Sequence, residues 1–355
     1  MAARLTLTDV EGLARERLDP AWREYFAGGA GDERTLHANR AAYAKRVLRP
    51  RVLAGIEHVT AATTVLGQEL SAPLLVAPIA YMRRAHEDGE EGMARAAAAA
   101  GVGLCLSSFA TAAAGAVADA APGLVRWLQV YTLVDRTVTD ELIAEALAAG
   151  FSAIVLTADL AVVGSRDREL RIDWTMPEDD VPTVVRARER GIDRRGLAVT
   201  DPALDWGYVD HLCSTFPVPV VIKGVLTAED AVLAADHGAA GVVVSNHGGR
   251  QLDGVAASLE ALPEVVEAVA ERAEVLLDGG VRRGGDVLKA LALGARAVLV
   301  GRPVVWGLAV GGEDGVGRVL ALLRDEITLA LTQLGCPSPA DVTRAHVAPS
   351  GAVGS

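Results

Sequence analysis

The sequence predicts an α/β fold, a (β/α)8 TIM barrel with an N-terminal helical extension and a long loop after strand four. Three observations carry that reading. Eight short apolar runs recur, at 74–80, 103–108, 125–131, 153–159, 218–224, 241–247, 274–280 and 297–303, each followed by an Ala/Leu-rich helical pattern. Polar residues cluster at the C-terminal ends of these runs, and the first ends in the small residue Ala80. The spacing breaks only once, between the fourth and fifth runs. Runs that are apolar throughout fit parallel strands buried beneath helices. Eight such units match the size of a closed barrel, whose active sites form at the C-terminal ends of the strands. A doubly wound open sheet is the alternative arrangement of the same units.

Composition narrows the class. The 355 residues are 51 % hydrophobic but only 4 % aromatic, so the expected core is Ala, Val and Leu. A formal charge of −12 argues against a nucleic-acid surface, while leaving room for local basic pockets. Cys105, Cys213 and Cys336 lack the spacing of a metal site or a disulfide framework, which suits a reducing cytoplasm. The N-terminus has no apolar core of signal-peptide length, and the weakly polar stretch 94–125 is too interrupted to span a membrane. A soluble protein without a metal is expected.

Taken in order, residues 1–45 read as helices, with Leu5, Leu13, Leu18, Trp22, Tyr25 and Phe26 spaced to pack on something larger. A glycine-rich break at 27–31 precedes a charged helix at 32–45. Residues 46–72 look extended, with Val65-Leu66-Gly67 a hairpin candidate. The expected organisation is a single domain over 1–355: extension 1–72, barrel 73–348, and a charged, Pro-containing loop at 164–210. A loop of that length is usually a lid or a disordered excursion. Helices around 315–334 close the domain, and the tail after Pro349 is expected to fray.

The chemistry centres on SNHGGRQLDG, residues 245–254, directly after the sixth run. His247 and Arg250 lie three apart with two glycines between them, a base beside an anion receptor. A Gly-rich turn with a solvated Arg is the bland alternative. The ends of the last two runs, DGGVRRGGDV (278–287) and GRP (301–303), offer glycine N–H groups with Arg282, Arg283 and Arg302. That is where barrels often bind phosphate. Lys223 ends the fifth run, either snorkelling or held against a ligand that becomes negative. Asp159 fits either a partner of His247 or a helix N-cap, and Arg166 either a site cation or a solvated charge.

SNHGGRQLDG, LDGGVRRGGDVLKALALGA, VIKGVLTAEDA, LTADL and APIA resemble the motifs of the FMN-dependent α-hydroxy-acid oxidases and dehydrogenases. That is the family of glycolate oxidase, lactate oxidase and mandelate dehydrogenase. The resemblance runs from about residue 5 to 348, and the chain looks most like the bacterial mandelate and 4-hydroxymandelate oxidases. It implies FMN at the barrel mouth, with the phosphate on Gly280, Arg282, Gly301 and Arg302. The ring would meet Ala80, Ser107, Gln129, Thr157 and Lys223, with Ser245 and Asp278 also counted among the cofactor's residues. His247 matches the base, Asp159 its partner, Arg250 and Arg166 the carboxylate-binding arginines, and Tyr25 and Tyr131 the active-site tyrosines. A homotetramer or octamer is implied as well.

The implied reaction is oxidation of an (S)-2-hydroxy acid to the 2-oxo acid. Phe109 stands where many members carry Trp or Tyr, and Ser165 where many carry a further Arg. Phe109 as an apolar pocket wall, with the flexible Met82 near the mouth, favours an aromatic or large apolar substrate. Ala80 beside the ring favours O2 as acceptor. The alternatives are a peptide or amine substrate, or electron transfer to a quinone. A phosphate-binding isomerase and a non-catalytic scaffold are more distant readings.

Overall fold

The computed structural model describes residues 5–175, 180–192 and 200–351. Eight parallel strands close into a barrel: β1 (Leu74–Val76), β2 (Gly103–Ser107), β3 (Arg126–Val130), β4 (Ile154–Thr157), β5 (Val220–Val225), β6 (Gly241–Val244), β7 (Glu274–Asp278) and β8 (Ala297–Val300). Their order in the barrel follows the chain, and β8 pairs back onto β1, which excludes the open sheet.

The barrel's interior is set by the strand period of two. Leu75, Cys105, Trp127, Val155, Val221, Val243, Leu276 and Leu299 belong to the inner apolar cluster. Their neighbours, such as Leu74, Leu104, Ile222 and Leu277, pack outward under the helices. Two residues along each inner row come Ala77, Ser107, Gln129, Thr157, Lys223, Ser245, Asp278 and Gly301. The same periodicity therefore carries the interior from apolar to polar at its C-terminal end. Strand register sets Ser107 beside Gln129 and Thr157 beside Lys223. At the other end the expected hairpin, Thr63–Val65 with Gln68–Leu70, turns through Leu66 and Gly67 at positive φ. It adds Val65 and Leu70 to the inner cluster, and Trp127 Nε1 donates to Gln68 Oε1 at 3.3 Å.

The extension folds as α1 (Leu7–Arg17), α2 (Pro20–Ala27) and α3 (Arg34–Ala44). Helix α1 starts with a capping box between Thr6 and Asp9, and α2 with the Asp19 cap followed by Pro20. Helix α3 has no side-chain cap of its own, because its N-cap residue Glu33 is left-handed. Asp253 supplies the cap from the other side of the site, accepting from Thr35 N at 2.8 Å and Arg34 N at 3.3 Å. One turn on, the amides of Asn39 and Asn246 exchange two hydrogen bonds of 2.7 and 2.8 Å. The extension is thereby bonded directly to the loop after β6.

Two elements differ from the sequence reading. The described part of 164–210 holds helices at Asp167–Arg171 and Pro182–Glu189, so it is not a structureless excursion. Arg168 ties it to the extension through Glu24 (3.2 Å) and Glu33 (2.6 Å). Residues 176–179 and 193–199 of that loop, and 352–355 of the tail, lie outside the described residues. The closing helix starts at Arg302, not near 315, because β8 feeds straight into it. It runs to Leu334 with a kink at Gly311 and Gly312. Among the described residues no helix is long and apolar enough to cross a membrane.

Asn39→Leu removes one half of the buried amide pair and leaves Asn246 and the Ser258 N–H without their acceptor. A loss of about 1–3 kcal/mol is expected. Thermal unfolding checks it, and an unchanged midpoint would show that α3 is anchored elsewhere.

Candidate active site

The chain leaves β6 through a left-handed run: His247 at φ 58°, Gly248 at 63° and Gly249 at 77°. For a histidine this conformation is costly and must be imposed by its surroundings. Ser245 Oγ accepts from His247 N (3.0 Å), Asn246 Oδ1 from Gly249 N (3.0 Å), and Gly249 O from Ala30 N (2.8 Å). A Cβ at Gly249 would lie 2.6 Å from the Leu36 backbone, so glycine is what lets α3 come this close.

The result aims the His247 ring into a cavity at the barrel mouth. His247 Nδ1 lies 3.0 Å from Asp159 Oδ1, and Nε2 lies 3.3 Å from the Tyr131 hydroxyl. Asp159 is thus the histidine's partner, not a helix cap. Burial pushes His247 below the ordinary histidine value against the pull of Asp159, with Lys223 and Arg166 adding to the lowering. Burial would raise the Asp159 carboxyl, but His247 and Lys223 hold it below its usual range. Lowered from its ordinary value, the imidazole is neutral at neutral pH, and a proton on Nδ1, donated to the Asp159 carboxylate, would leave the Nε2 lone pair toward Tyr131 and the cavity.

Lys223 is buried, 3.2 Å from Asp278 Oδ2, and donates to Ser245 Oγ at 3.0 Å. Burial opposes its charge, yet Asp278 and Asp159 hold it above the ordinary lysine value. It does not snorkel, since internal carboxylates compensate it. Ser245 Oγ, bonded to both Lys223 and His247 N, links the two halves of the site.

Arg166 and Arg250 come together although 84 residues separate them. Arg166 Nε donates to the Arg250 carbonyl at 3.3 Å, and Arg250 Nη1 donates to Gly28 O at 2.9 Å. The Arg250 guanidinium lies over the Tyr25 ring, 4.8 Å from its centroid. Glu169 sits between the two cations, 3.1 Å from Arg166 and 3.5 Å from Arg250. Sequence reasoning missed Glu169, although its place three residues after Arg166 is the spacing of a helical ion pair.

The phosphate end is partly as expected. Gly280, Arg282, Gly301 and Arg302 all line the cavity. A Cβ on Gly280 would meet Asn39 O at 2.2 Å, so the β7 turn closes only with glycine there. Arg282 Nε is buried with no partner, and burial together with Arg40 lowers its guanidinium to about 10. Burial likewise lowers Arg302, which Arg250 and Arg282 reinforce. Arg302 also donates to the carbonyls of Phe26, Gly248 and Gly28, clamping the extension to the His247 loop. Arg283 is a correction: it is exposed and pairs with Glu326 at 3.0 Å, away from the cavity.

Ala80 lines the cavity, whereas Ser107, Gln129, Thr157 and Ser245 are buried in the strand ends and not part of its wall. Gln129 Nε2 donates to Thr157 Oγ1 at 3.0 Å, and Gln129 Oε1 has no partner. Phe109 and Tyr131 meet edge-on at 5.4 Å between centroids and both line the cavity. Met82 is a second correction: it is fully buried in the core, and Tyr81 takes the cavity face instead. Trp22, expected to pack on something larger, and Trp174, which sequence reasoning missed, pack on Tyr25, with Trp174 stacked at 4.7 Å.

The description "FMN-dependent dehydrogenase" belongs to the family model that matches residues 14–349. The L-lactate oxidase of Nostoc sp. is 44 % identical over 96 % of this chain and 97 % of its own. The glycolate oxidase of Spinacia oleracea is 42 % identical, covering 96 % and 95 %. A solved mandelate oxidase with benzoyl-formic acid superposes with a TM-score of 0.89 at 40 % identity, covering 96 % and 98 %.

The unpartnered Arg282 Nε and the mutual repulsion of the arginines fit a bound phosphate-bearing flavin. Arg282→Ala is therefore expected to lower FMN retention at least tenfold after dialysis, read from flavin absorbance per chain. Full FMN content in that variant would remove Arg282 from the phosphate site.

Proposed function

Because the chain belongs to the FMN-dependent dehydrogenase family, we propose that it oxidises an (S)-2-hydroxy acid with an aromatic or large apolar side chain to the 2-oxo acid. The carrying observation is the Asp159–His247 pair with its lone pair facing a cavity that Arg166 and Arg250 also line. FMN, when bound, supplies the two-electron acceptor for the hydrogen leaving the substrate's α-carbon. Gly280, Arg282, Gly301 and Arg302 are proposed to hold its phosphate, and Ala80, Ser107, Gln129, Thr157, Lys223, Ser245 and Asp278 to surround its ring.

In this reading Arg166, Arg250 and the Tyr25 hydroxyl bind the substrate carboxylate, a planar anion suited to guanidinium forks. His247 Nε2 takes the hydroxyl proton, or the α-proton in a carbanion route, and Asp159 steadies the imidazolium that forms. Tyr131, 3.3 Å from Nε2, orients the base and shares its hydrogen bond with the incoming hydroxyl. Lys223, fixed by Asp278, would help hold the flavin and would supply positive charge to offset the negative charge of its reduced form.

Phe109 and Leu160 give the substrate side chain an apolar wall, which supports a mandelate-like acid over glycolate. Ala80 at the cavity face and the oxidase names of the relatives support O2 as acceptor with release of H2O2. A cytoplasmic homotetramer or octamer, without nucleic-acid or membrane partners, completes the reading.

His247→Ala is expected to slow flavin reduction by about 10²–10⁴-fold while FMN stays bound. Arg250→Lys is expected to raise KM because a point charge replaces a fork. A histidine must be neutral to accept a proton, and burial lowers this one. The acid limb of kcat/KM should therefore fall below about 6.5, the unperturbed histidine value. Anaerobic mixing with (S)-mandelate and glycolate tests the substrate: burying a phenyl group should favour mandelate by about 10–100-fold in kcat/KM. Preference for glycolate would overturn the side-chain claim, and reduced flavin that persists in air would overturn the oxidase claim.

A further inference from the structure

Three residues lining the cavity carry a buried polar atom with no hydrogen-bond partner among the described residues: Asp278 Oδ1, Arg282 Nε and Tyr81 Oη. The first two belong to the flavin and phosphate positions. Tyr81 belongs to neither. It is 1 % exposed, and its backbone is left-handed at φ 62°, held by the hydrogen bond from Tyr81 N to Phe109 O at 3.3 Å. A bulky residue in that conformation is fixed by its surroundings. Its ring packs between Trp22 (5.6 Å), Tyr25 (5.6 Å) and Trp174 (6.4 Å), on the side of the cavity covered by the loop after β4.

We propose that Tyr81 reads the substrate's side chain, its hydroxyl donating a hydrogen bond to an uncharged oxygen carried there. The inference rests on the hydroxy-acid reading and refines the substrate class. The substrate's carboxylate already has Arg166 and Arg250, so the hydroxyl is free for a second polar group. Burial holds Tyr81 far above the ordinary tyrosine value, with Tyr25 and Tyr131 adding to the shift, so it stays a neutral donor. The charges that reach the hydroxyl, Asp180 and Arg166, are opposite in sign and already paired with Arg84 and Glu169, which favours a neutral acceptor such as an ether, phenol or carbonyl oxygen. A site built around an unpaired donor rejects the analogue that lacks the acceptor, because the donor is then left buried and unsatisfied. Phe109 and Leu160 still face the rest of the side chain, so the wall is apolar with one polar point.

The test compares isosteres that differ in that oxygen alone: (S)-3- and (S)-4-methoxymandelate against (S)-3- and (S)-4-ethylmandelate. Flavin bleaching is followed anaerobically in the wild-type holoenzyme and in Tyr81→Phe. The dissociation constants of the four corresponding 2-oxo acids are measured from the perturbation of the flavin spectrum. At one ring position the methoxy acid is expected to exceed its ethyl partner by about 10–100-fold in kcat/KM, with a parallel gap in affinity of the oxo acids. Tyr81→Phe should bring both ratios close to one while FMN content per chain stays the same. Wild-type ratios near one at both positions, or an oxygen preference that survives in Tyr81→Phe, overturn the proposal. The wild-type ratios decide alone if the variant does not fold. If neither these acids nor (S)-mandelate bleaches the flavin, the hydroxy-acid reading fails and this proposal with it.

Discussion

The barrel mouth is organised by positive charge held out of water. Lys223, Arg166, Arg250, Arg282 and Arg302 all line the cavity, and among the described residues Asp278 is the only carboxylate lining it with them. Asp159 and Glu169 stand just behind and offset part of the excess. Cations so placed repel one another and lose hydration, which is why burial and neighbouring arginines lower Arg250 and Arg302. The imbalance is tolerable where anions are to be bound, and a phosphate and a carboxylate are the two that this arrangement would neutralise. It coexists with a formal charge of −12 over the whole chain, so the attraction is local to the mouth.

Holding like charges together requires a frame that does not yield, and the frame is mostly backbone. Arg302 spends its donors on three carbonyls, and Arg250 binds Gly28 O, so the cations themselves fasten the extension onto the His247 loop. The reciprocal Asn39–Asn246 amides and the Asp253 cap on α3 tie the same two segments from the far side. The left-handed conformation of His247 is maintained by these contacts and not by any preference of its own. The extension is for this reason part of the site.

Arg166 and Glu169 stand on the loop after β4, and Trp174 of that loop stacks on Tyr25 of α2. Arg168 adds ion pairs to Glu24 and Glu33, partly exposed and individually weak, alongside this aromatic packing. The loop thus brings one cavity-lining cation, its neutralising carboxylate and part of the aromatic wall in one piece. Tyr81 completes that wall from the β1 end, where the chain turns through a second left-handed residue.

Much of this was legible before any coordinates. Apolar runs of strand length, each followed by a helical pattern, determine a parallel sheet buried on both faces, while its closure into a barrel is decided by the pairing of β8 onto β1. Period two then fixes that Lys223 and Asp278 face inward, since they lie two residues beyond Val221 and Leu276. Local spacing also made His247, Arg250 and the two Gly/Arg turns stand out, and the motif resemblance added Tyr25, Tyr131 and the flavin. What the sequence could not decide was direction and company. Whether Arg282 or Arg283 faces the cavity, and whether Tyr81 or Met82 does, depends on backbone angles set by distant contacts. Glu169 between two arginines, and Trp174 over Tyr25, join segments far apart in the chain. Such meetings are products of tertiary packing, and neither composition nor periodicity contains them.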